Sequence, residues 1–340
     1  MFGNSLVDAL TSKEVNLSHV KLILYSEELA RSDLSGHINT LISNVDIRPQ
    51  TSVAICRGKA EDFFKNVTPV LETSPARYYD LILSSFNYTS ESAGTELIDF
   101  YTSAQSIDRE ATAVIAEIKD NESKNMQNSQ SGSNNIQGKS DSQSNAGGSN
   151  TNSESNNEKK EAKFAGLAVF KGSKMVGEIS PLLTMGHLIM TNKLQDAAIT
   201  VPDVGDKNKL ASITVRQNKP CKFDVKIENN IPKIKINVYL DAHLESSGTT
   251  TDYLDNDNKY KLNKAVEEKI TQIVNDYLNK LIECDSDIAG IGREAKLLCT
   301  TWKEFEELNW KEIFKNAEFD VSSSVSLNVS QIIFHRIPNQ

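Results

Sequence analysis

Two runs of strict alternation near the middle of the chain limit its fold more than any other feature. Phe223, Val225 and Ile227 alternate with Lys222, Asp224, Lys226 and Glu228, and Ile234, Ile236, Val238 and Leu240 alternate with Lys233, Lys235, Asn237 and Tyr239. Successive strand side chains point to opposite faces, so these are two strands with one apolar and one solvated face, joined by a turn at Asn229-Asn230-Ile231-Pro232. The apolar face needs a cover. From Leu262 to Ile282, apolar residues fall at Leu262, Val266, Ile270, Ile273, Tyr277 and Leu281, in steps of three and four. That spacing predicts a long amphipathic helix, about 30 Å if the whole stretch is helical. Phe319, Val321, Val325, Leu327 and Val329 then alternate with Asp320, Ser322, Ser324, Ser326 and Asn328, a further strand for the same sheet. The expected C-terminal architecture is α+β: an antiparallel sheet covered by a long amphipathic helix.

The N-terminal part reads differently. VKLILY (Val20 to Tyr25) and TSVAIC (Thr51 to Cys56) are short, mostly apolar runs of the kind that form buried strands. Helical patterns follow each. Ser26 precedes Glu27 and Glu28 as an N-cap, and Leu34, Ile38, Leu41 and Ile42 share a helix face. Over Lys59 to Val67, Ala60, Phe63 and Phe64 are expected to point inward. More helix is expected between Pro75 and Asp108, and a strand at ATAVIAEI (Ala111 to Ile118). Alternating strands and helices imply mixed sheets with packed helices. Further on, two apolar runs in FAGLAVFKGSKMVGEI (Phe164 to Ile179) flank Lys171-Gly172-Ser173-Lys174 and predict a β-hairpin. LLTMGHLIMTNKL then reads as a short helix.

Residues 120–160 separate these parts. The run is rich in Asn, Ser, Gly and Gln and has no aromatic residue, so it buries too little apolar surface to offset its ordering entropy and is expected to be disordered. It also lowers the apolar content of the 340-residue chain to 38%. A net charge of −9 argues against nucleic acid as a partner and against adhesion to anionic lipid through charge alone. The opening residues contain no apolar h-region, and no stretch reaches about 18 consecutive apolar residues, so neither a signal peptide nor a spanning helix is expected. As written, the chain reads as soluble.

Chemistry-bearing patterns are sparse. No GxSxG elbow, GxxxxGK[ST] loop or HExxH occurs. Cys56, Cys221, Cys284 and Cys299 are scattered without zinc spacing, and a disulfide requires two of them to meet in space. His19, His37, His187, His243 and His335 are dispersed. Asp252, Asp255 and Asp257 invite a calcium reading. Their loop has no central Gly and neither Asp252 nor Asp255 has a Glu eleven positions on, so a solvated loop before the helix is the expectation. Gly290 and Gly292 are expected to let the chain leave the long helix with positive φ. Trp302 and Trp310, with Phe305, Leu308, Ile313 and Phe314, are expected to form a hydrophobic plug. No catalytic, cofactor-binding, metal or lipidation residue is assigned, no cofactor is implied, and the chain is expected not to be an enzyme.

Several stretches together resemble the Ger(x)C family, the lipoprotein C subunits of bacterial spore germinant receptors. They are GLAVFKGSKMVGEI with LLTMGHLIMTNKL, IPKIKINVYLDAHL, DIAGIGREA after the long helix, and an ending W-x7-W-K-E-I-F-x-N-A-E-F-D-V. LSHVKLILYSEELA and RGKAEDFF resemble the family more loosely, and place Ser5-Leu-Val-Asp-Ala-Leu inside its first domain. The resemblance covers nearly the whole chain outside 120–160.

The resemblance implies a multi-domain organisation: an α/β-like unit at 1–109 whose opening part is missing, a middle unit at 110–205 with residues 120–160 inserted in it, and an α+β unit at 206–340. Family members begin with a signal peptide, a lipid-modified cysteine and an opening strand, and none of these is expected here. VKLILY would then present an open sheet edge. The implied function is that of a non-catalytic subunit acting with integral-membrane A and B subunits in nutrient-triggered spore germination. In the family the anchor sits at the spore inner membrane. The alternatives are a soluble small-molecule or peptide binding module, marked by a concave apolar pocket with converging polar groups, and a hydrolase, which would need clustered Ser, His and Asp.

Overall fold

A computed structural model describes residues 17–67, 74–84, 90–119 and 161–329. The 120–160 run, the Ser5–Leu10 stretch and His335 lie outside them. The described residues form two mixed sheets with helices packed on them.

The first sheet has five strands in chain order: β1 (Leu22–Ser26), β2 (Ser52–Cys56), β3 (Thr112–Lys119), β4 (Glu161–Lys171) and β5 (Lys174–Ile179). The β1–β2 and β2–β3 pairs are parallel, and β4 and β5 add antiparallel. Its helices are α1 (Glu27–Ser32), α2 (Ser35–Ile42), α3 (Ala60–Asn66), α4 (Pro75–Ser84) and α5 (Leu97–Gln105). Both faces are covered. Val53, Ile55, Ala113, Ile115 and Phe170 meet Leu34, Ile38, Leu97 and Phe100 on one side. Ala54, Cys56, Val114, Ala116 and Phe164 meet Phe63, Val67 and Tyr79 on the other. Two-sided burial is why SVAIC and AVIA read as continuous apolar runs.

Ser26 caps α1 by accepting from Leu29 N at 3.3 Å. Phe64 departs from expectation: Phe63 is buried, but Phe64 is 48% exposed and packs edge-on against Phe63 and Tyr79. Successive helical residues are about 100° apart, so one of two adjacent phenylalanines takes the core and the other its rim. Among the described residues β1 pairs with β2 alone and lies at the edge of the sheet.

The second sheet runs β6 (Ala197–Pro202), β7 (Leu210–Glu228), β8 (Ile231–Ser247) and β9 (Glu318–Asn328). It is antiparallel through β6–β7 and β7–β8, but β9 lies parallel to β8. The reason is the connection. The 28-residue helix α7 (Asn256–Glu283) carries the chain back along the sheet, so β9 re-enters from the end at which β8 began. The hairpin turn is shorter than expected: Asn229 and Asn230 both take positive φ (53° and 62°), and Glu228 already pairs with Ile231. Asparagine tolerates that left-handed backbone better than most residues.

Asp255 is the N-cap of α7, accepting from Asn258 N at 3.2 Å. The inner face of α7, from Leu262 to Leu281, is buried against Ile234, Ile236, Val238, Leu240, Ala242 and Leu244 of β8. Each such side chain contributes about 1.5–3 kcal/mol on burial. At the core-facing position between Val321 and Val325 stands Ser323, whose Oγ donates to Glu267 O at 2.7 Å, while Glu267 Oε1 accepts from Val325 N at 3.0 Å. α6 (Pro181–Met190) crosses α7 at Gly186, where a β-carbon would stand 2.7 Å from Tyr277 Cβ. Only glycine allows that approach.

Candidate functional site

The long helix ends where the two sheets meet. Cys284 closes α7, Asp285 follows with φ 49°, and the amides of Asp285 and Ser286 donate back to Ile282 O (3.0 Å) and Leu281 O (3.1 Å). This is a Schellman ending with aspartate at the left-handed position. The glycines were expected to serve the helix exit; they lie farther on and do other work. Gly290 has φ +72°, so it does supply a left-handed turn, but Gly292 is there for space. A β-carbon on Gly292 would collide with Asp108 O and stand 2.6 Å from the Trp310 ring.

Asp287 is the centre of the joint. It is 3% exposed, and its carboxylate accepts from Ile291 N (3.1 Å), Gly292 N (2.8 Å) and Trp310 Nε1 (3.0 Å), while its carbonyl accepts from Glu110 N at 2.9 Å. Burial pushes its carboxyl up to about 6, against the pull of those N–H donors toward the ionised form. The segment after β7 and β8 is thereby held by the last loop before β3. Around it, α8 (Gly292–Lys296), α9 (Trp302–Leu308) and α10 (Trp310–Ile313) close the packing.

A second layer ties in the β4–β5 hairpin. Glu110 is 4% exposed; its Oε2 accepts from Gly172 N at 2.6 Å and its Oε1 stands 2.8 Å from Lys311 Nζ. Burial raises the Glu110 carboxyl above the ordinary carboxylate range, and Lys311 and Gly172 draw it back. Lys171 Nζ meets Asp285 Oδ2 at 2.5 Å, and Ser286 Oγ donates to Phe170 O at 2.6 Å. The hydrogen bond to Asp285 raises the Lys171 ammonium, holding it charged. Chemically this is a fixing site: the buried carboxylates of Asp287 and Glu110 are held by N–H donors or a cation.

Sequence reading did not single out Glu110, Lys171, Asp285, Asp287 or Lys311. The available signal was a carboxylate inside the otherwise apolar stretch DIAGIG, which implies a buried partner. The two tryptophans part company. Trp310 is 1% exposed and belongs to the joint with Phe305 and Phe314, whereas Trp302 is 52% exposed, bonds Glu306 Oε1 at 2.6 Å and lies under Lys296.

The remaining chemistry-bearing residues are dispersed. Asp252 accepts from Leu254 N and Asp255 caps α7, and among the described residues no group of His, Cys, Asp and Glu could hold a metal ion. Nearby, Asp203 ties three strand ends together, accepting from Ser247 Oγ (2.6 Å), Thr249 Oγ1 (2.6 Å), Tyr253 Oη (2.7 Å) and Gly205 N (3.0 Å). Burial alone would raise its carboxyl, but these donors hold it down at about 2. The four cysteines are unpaired thiols. His19, His37 and His243 are exposed, and His187 is buried with Nδ1 2.8 Å from Tyr277 Oη. Burial lowers its imidazole to about 3, so it is neutral. No helix among the described residues is long and apolar enough to cross a membrane.

Residues 165–330 match the family model described as spore germination B3/GerAC-like, C-terminal, and residues 4–119 match that of the spore germination protein N-terminal domain. The chain belongs to this GerAC-like spore germination family. Spore germination protein GerQC of Bacillus cereus is 24% identical over 173 residues, 49% of this chain and 45% of GerQC, so that match spans less than half of the relative's length. Putative spore germination protein YfkR of Bacillus subtilis (strain 168) is 21% identical over 335 residues, 98% of this chain and 77% of YfkR. The crystal structure of the GerBC protein superposes with a TM-score of 0.55 at 19% identity, covering 91% of this chain and 79% of that one, a likeness of fold. Within this GerAC-like chain, DIAGIGREA, WKEIF and the FKGSK hairpin are the walls of one buried joint.

Proposed function

We propose that this GerAC-like chain is a non-catalytic subunit of a spore germinant receptor, acting through protein–protein contact with integral-membrane A and B subunits in nutrient-triggered germination. The observation that carries the reading is the joint itself. Its polar side chains are spent on holding the two sheets in one arrangement, which is what a protein that presents surfaces to partners needs. The family matches on either side of residues 120–160 support the same reading. Its place of action on this reading is the spore inner membrane, reached in the family through a lipid anchor. Residues 120–160 are proposed to be an insertion between β3 and β4 of the first sheet, a connection whose closure entropy grows only slowly with length.

The test is genetic. Spores lacking the gene are exposed to a panel of nutrients and scored for loss of optical density. Loss of response to at least one nutrient, restored by the gene in trans, is expected. Unchanged responses to every nutrient that triggers the parent spores would count against the assignment.

A further inference from the structure

One cleft lies beside the joint and shares the Glu110 wall with it. It opens between α5 and the turn at Gly290, encloses about 340 Å³, and is lined by Asp99, Arg109, Lys193, Arg293 and Glu294 among others. Arg109 and Arg293 flank the same glycine. A β-carbon on Gly290 would stand 3.6 Å from Arg293 Nε and 3.8 Å from Arg109 Cβ. Among the described residues neither guanidinium has a carboxylate oxygen within 4.0 Å. Arg109 Nη2 donates to Thr102 Oγ1 at 3.2 Å, and the Arg293 side chain has no hydrogen-bond partner among the described residues.

That is unexpected in a chain with 46 acidic and 37 basic residues. Three neighbouring acids are engaged elsewhere: Asp108 by Ser106 and Lys296, Glu110, which also lines the cleft, by Lys311, and Asp287 by three N–H donors. Two guanidiniums and the Lys193 ammonium therefore line one recess, the Arg109 fork only partly filled by Thr102 and the Arg293 fork unpartnered among the described residues. Such donors match a planar carboxylate or a phosphate. Asp99 and Glu294 on the same walls oppose a polyanion, so the charge pattern fits a small ligand with one oxyanion group, and the volume fits a small molecule.

We propose that this cleft binds a small metabolite through a single carboxylate or phosphate group, with Arg109 and Arg293 as the direct contacts. The test does not depend on the membrane subunits.

The experiment is isothermal titration calorimetry on the full chain at low salt with propionate, glycine and inorganic phosphate as probes. Saturable one-site binding of at least one probe is expected. Its affinity should fall about tenfold or more in Arg109→Gln and in Arg293→Gln, the effect of losing one charge-assisted hydrogen bond. Arg31→Gln, which removes an exposed arginine elsewhere, should leave it unchanged. Circular dichroism melting of the variants shows that any loss is not unfolding. Binding of propionate or glycine without phosphate assigns a carboxylate ligand, and the reverse a phosphate. No saturable binding of any probe, or affinity unchanged in both cleft variants, would overturn the proposal.

Discussion

Trp302→Phe and Trp310→Phe are the same substitution eight residues apart, and the joint predicts unequal results. Trp310 is fully buried and its Nε1–H is one of three donors to the buried Asp287 carboxylate, at 3.0 Å. Phenylalanine removes that donor, and a hydrogen bond to a charged group is worth about 1.5–3 kcal/mol. The smaller ring also leaves a cavity beside Gly292 worth about 1 kcal/mol. Together these give a loss of roughly 2.5–4 kcal/mol, a large part of the stability of an ordinary domain. Trp302 is half exposed and its indole bonds an exposed glutamate, so its replacement should cost within about 0.5 kcal/mol.

The assay is urea unfolding followed by far-ultraviolet circular dichroism, which does not depend on the tryptophan removed. A second reading sharpens it. With one donor gone, the Asp287 carboxyl rises above about 6, so the Trp310→Phe variant should lose further stability between pH 6 and 7 relative to the parent. Equal losses for the two variants, or a larger loss for Trp302→Phe, would refute the joint as described.

Three further outcomes follow from the packing. Ile273→Asp or Val325→Asp places a charge in the interface of α7 and the second sheet, and no soluble folded protein should be recovered; an intact melting transition would refute that packing. His187, held neutral to about pH 3, is lower in the folded than in the unfolded chain. The unfolded state therefore binds its proton first below about pH 6.5, and stability falls on acidification by about 1.4 kcal/mol per pH unit toward pH 3. Asp287 acts oppositely. Its raised carboxyl favours the folded state at low pH and that gain is lost between about 3.8 and 6, so from pH 6 to 4 His187→Gln should gain stability relative to the parent. Urea midpoints across that range decide it. Finally, cleavage at a protease site placed within residues 120–160 should leave the two fragments co-eluting on size exclusion, because β3 and β4 pair across that run; separation without denaturant would refute the insertion.

Much of this fold is written in the spacing of apolar residues. The alternation through Ile234–Leu240, the stripe from Leu262 to Leu281 and the KGSK hairpin lie where their periodicities place them, because each is a local pattern matched to one repeat. What escaped depends on contacts distant in sequence. The parallel entry of β9 is fixed by the length and direction of α7, not by any residue of β9. β6 and the first half of β7 were not read as strands, although Ala211, Ile213 and Val215 alternate as cleanly as the residues beyond them. Phe64 and Trp302 looked like core and are not: Phe64 yields the core to its neighbour Phe63, and Trp302 stands at the exposed first turn of α9. The joint was legible only as motifs. That Asp287 needs Trp310, and Glu110 needs Lys311 some 200 residues on, is a fact of the folded chain. Asp285 in the left-handed position usual for glycine shows the same: the helix ending is set by Lys171 and Phe170 waiting across the joint.

The central claim is that this chain works as part of a membrane-bound germinant receptor, and it is tested most directly by affinity purification of the natively expressed, tagged protein from detergent-solubilised spore inner membranes. The account predicts that integral-membrane A and B subunits co-purify with it, identified by mass spectrometry and absent from an untagged control. Recovery of the chain only in the soluble fraction, with neither membrane subunit attached, would contradict it.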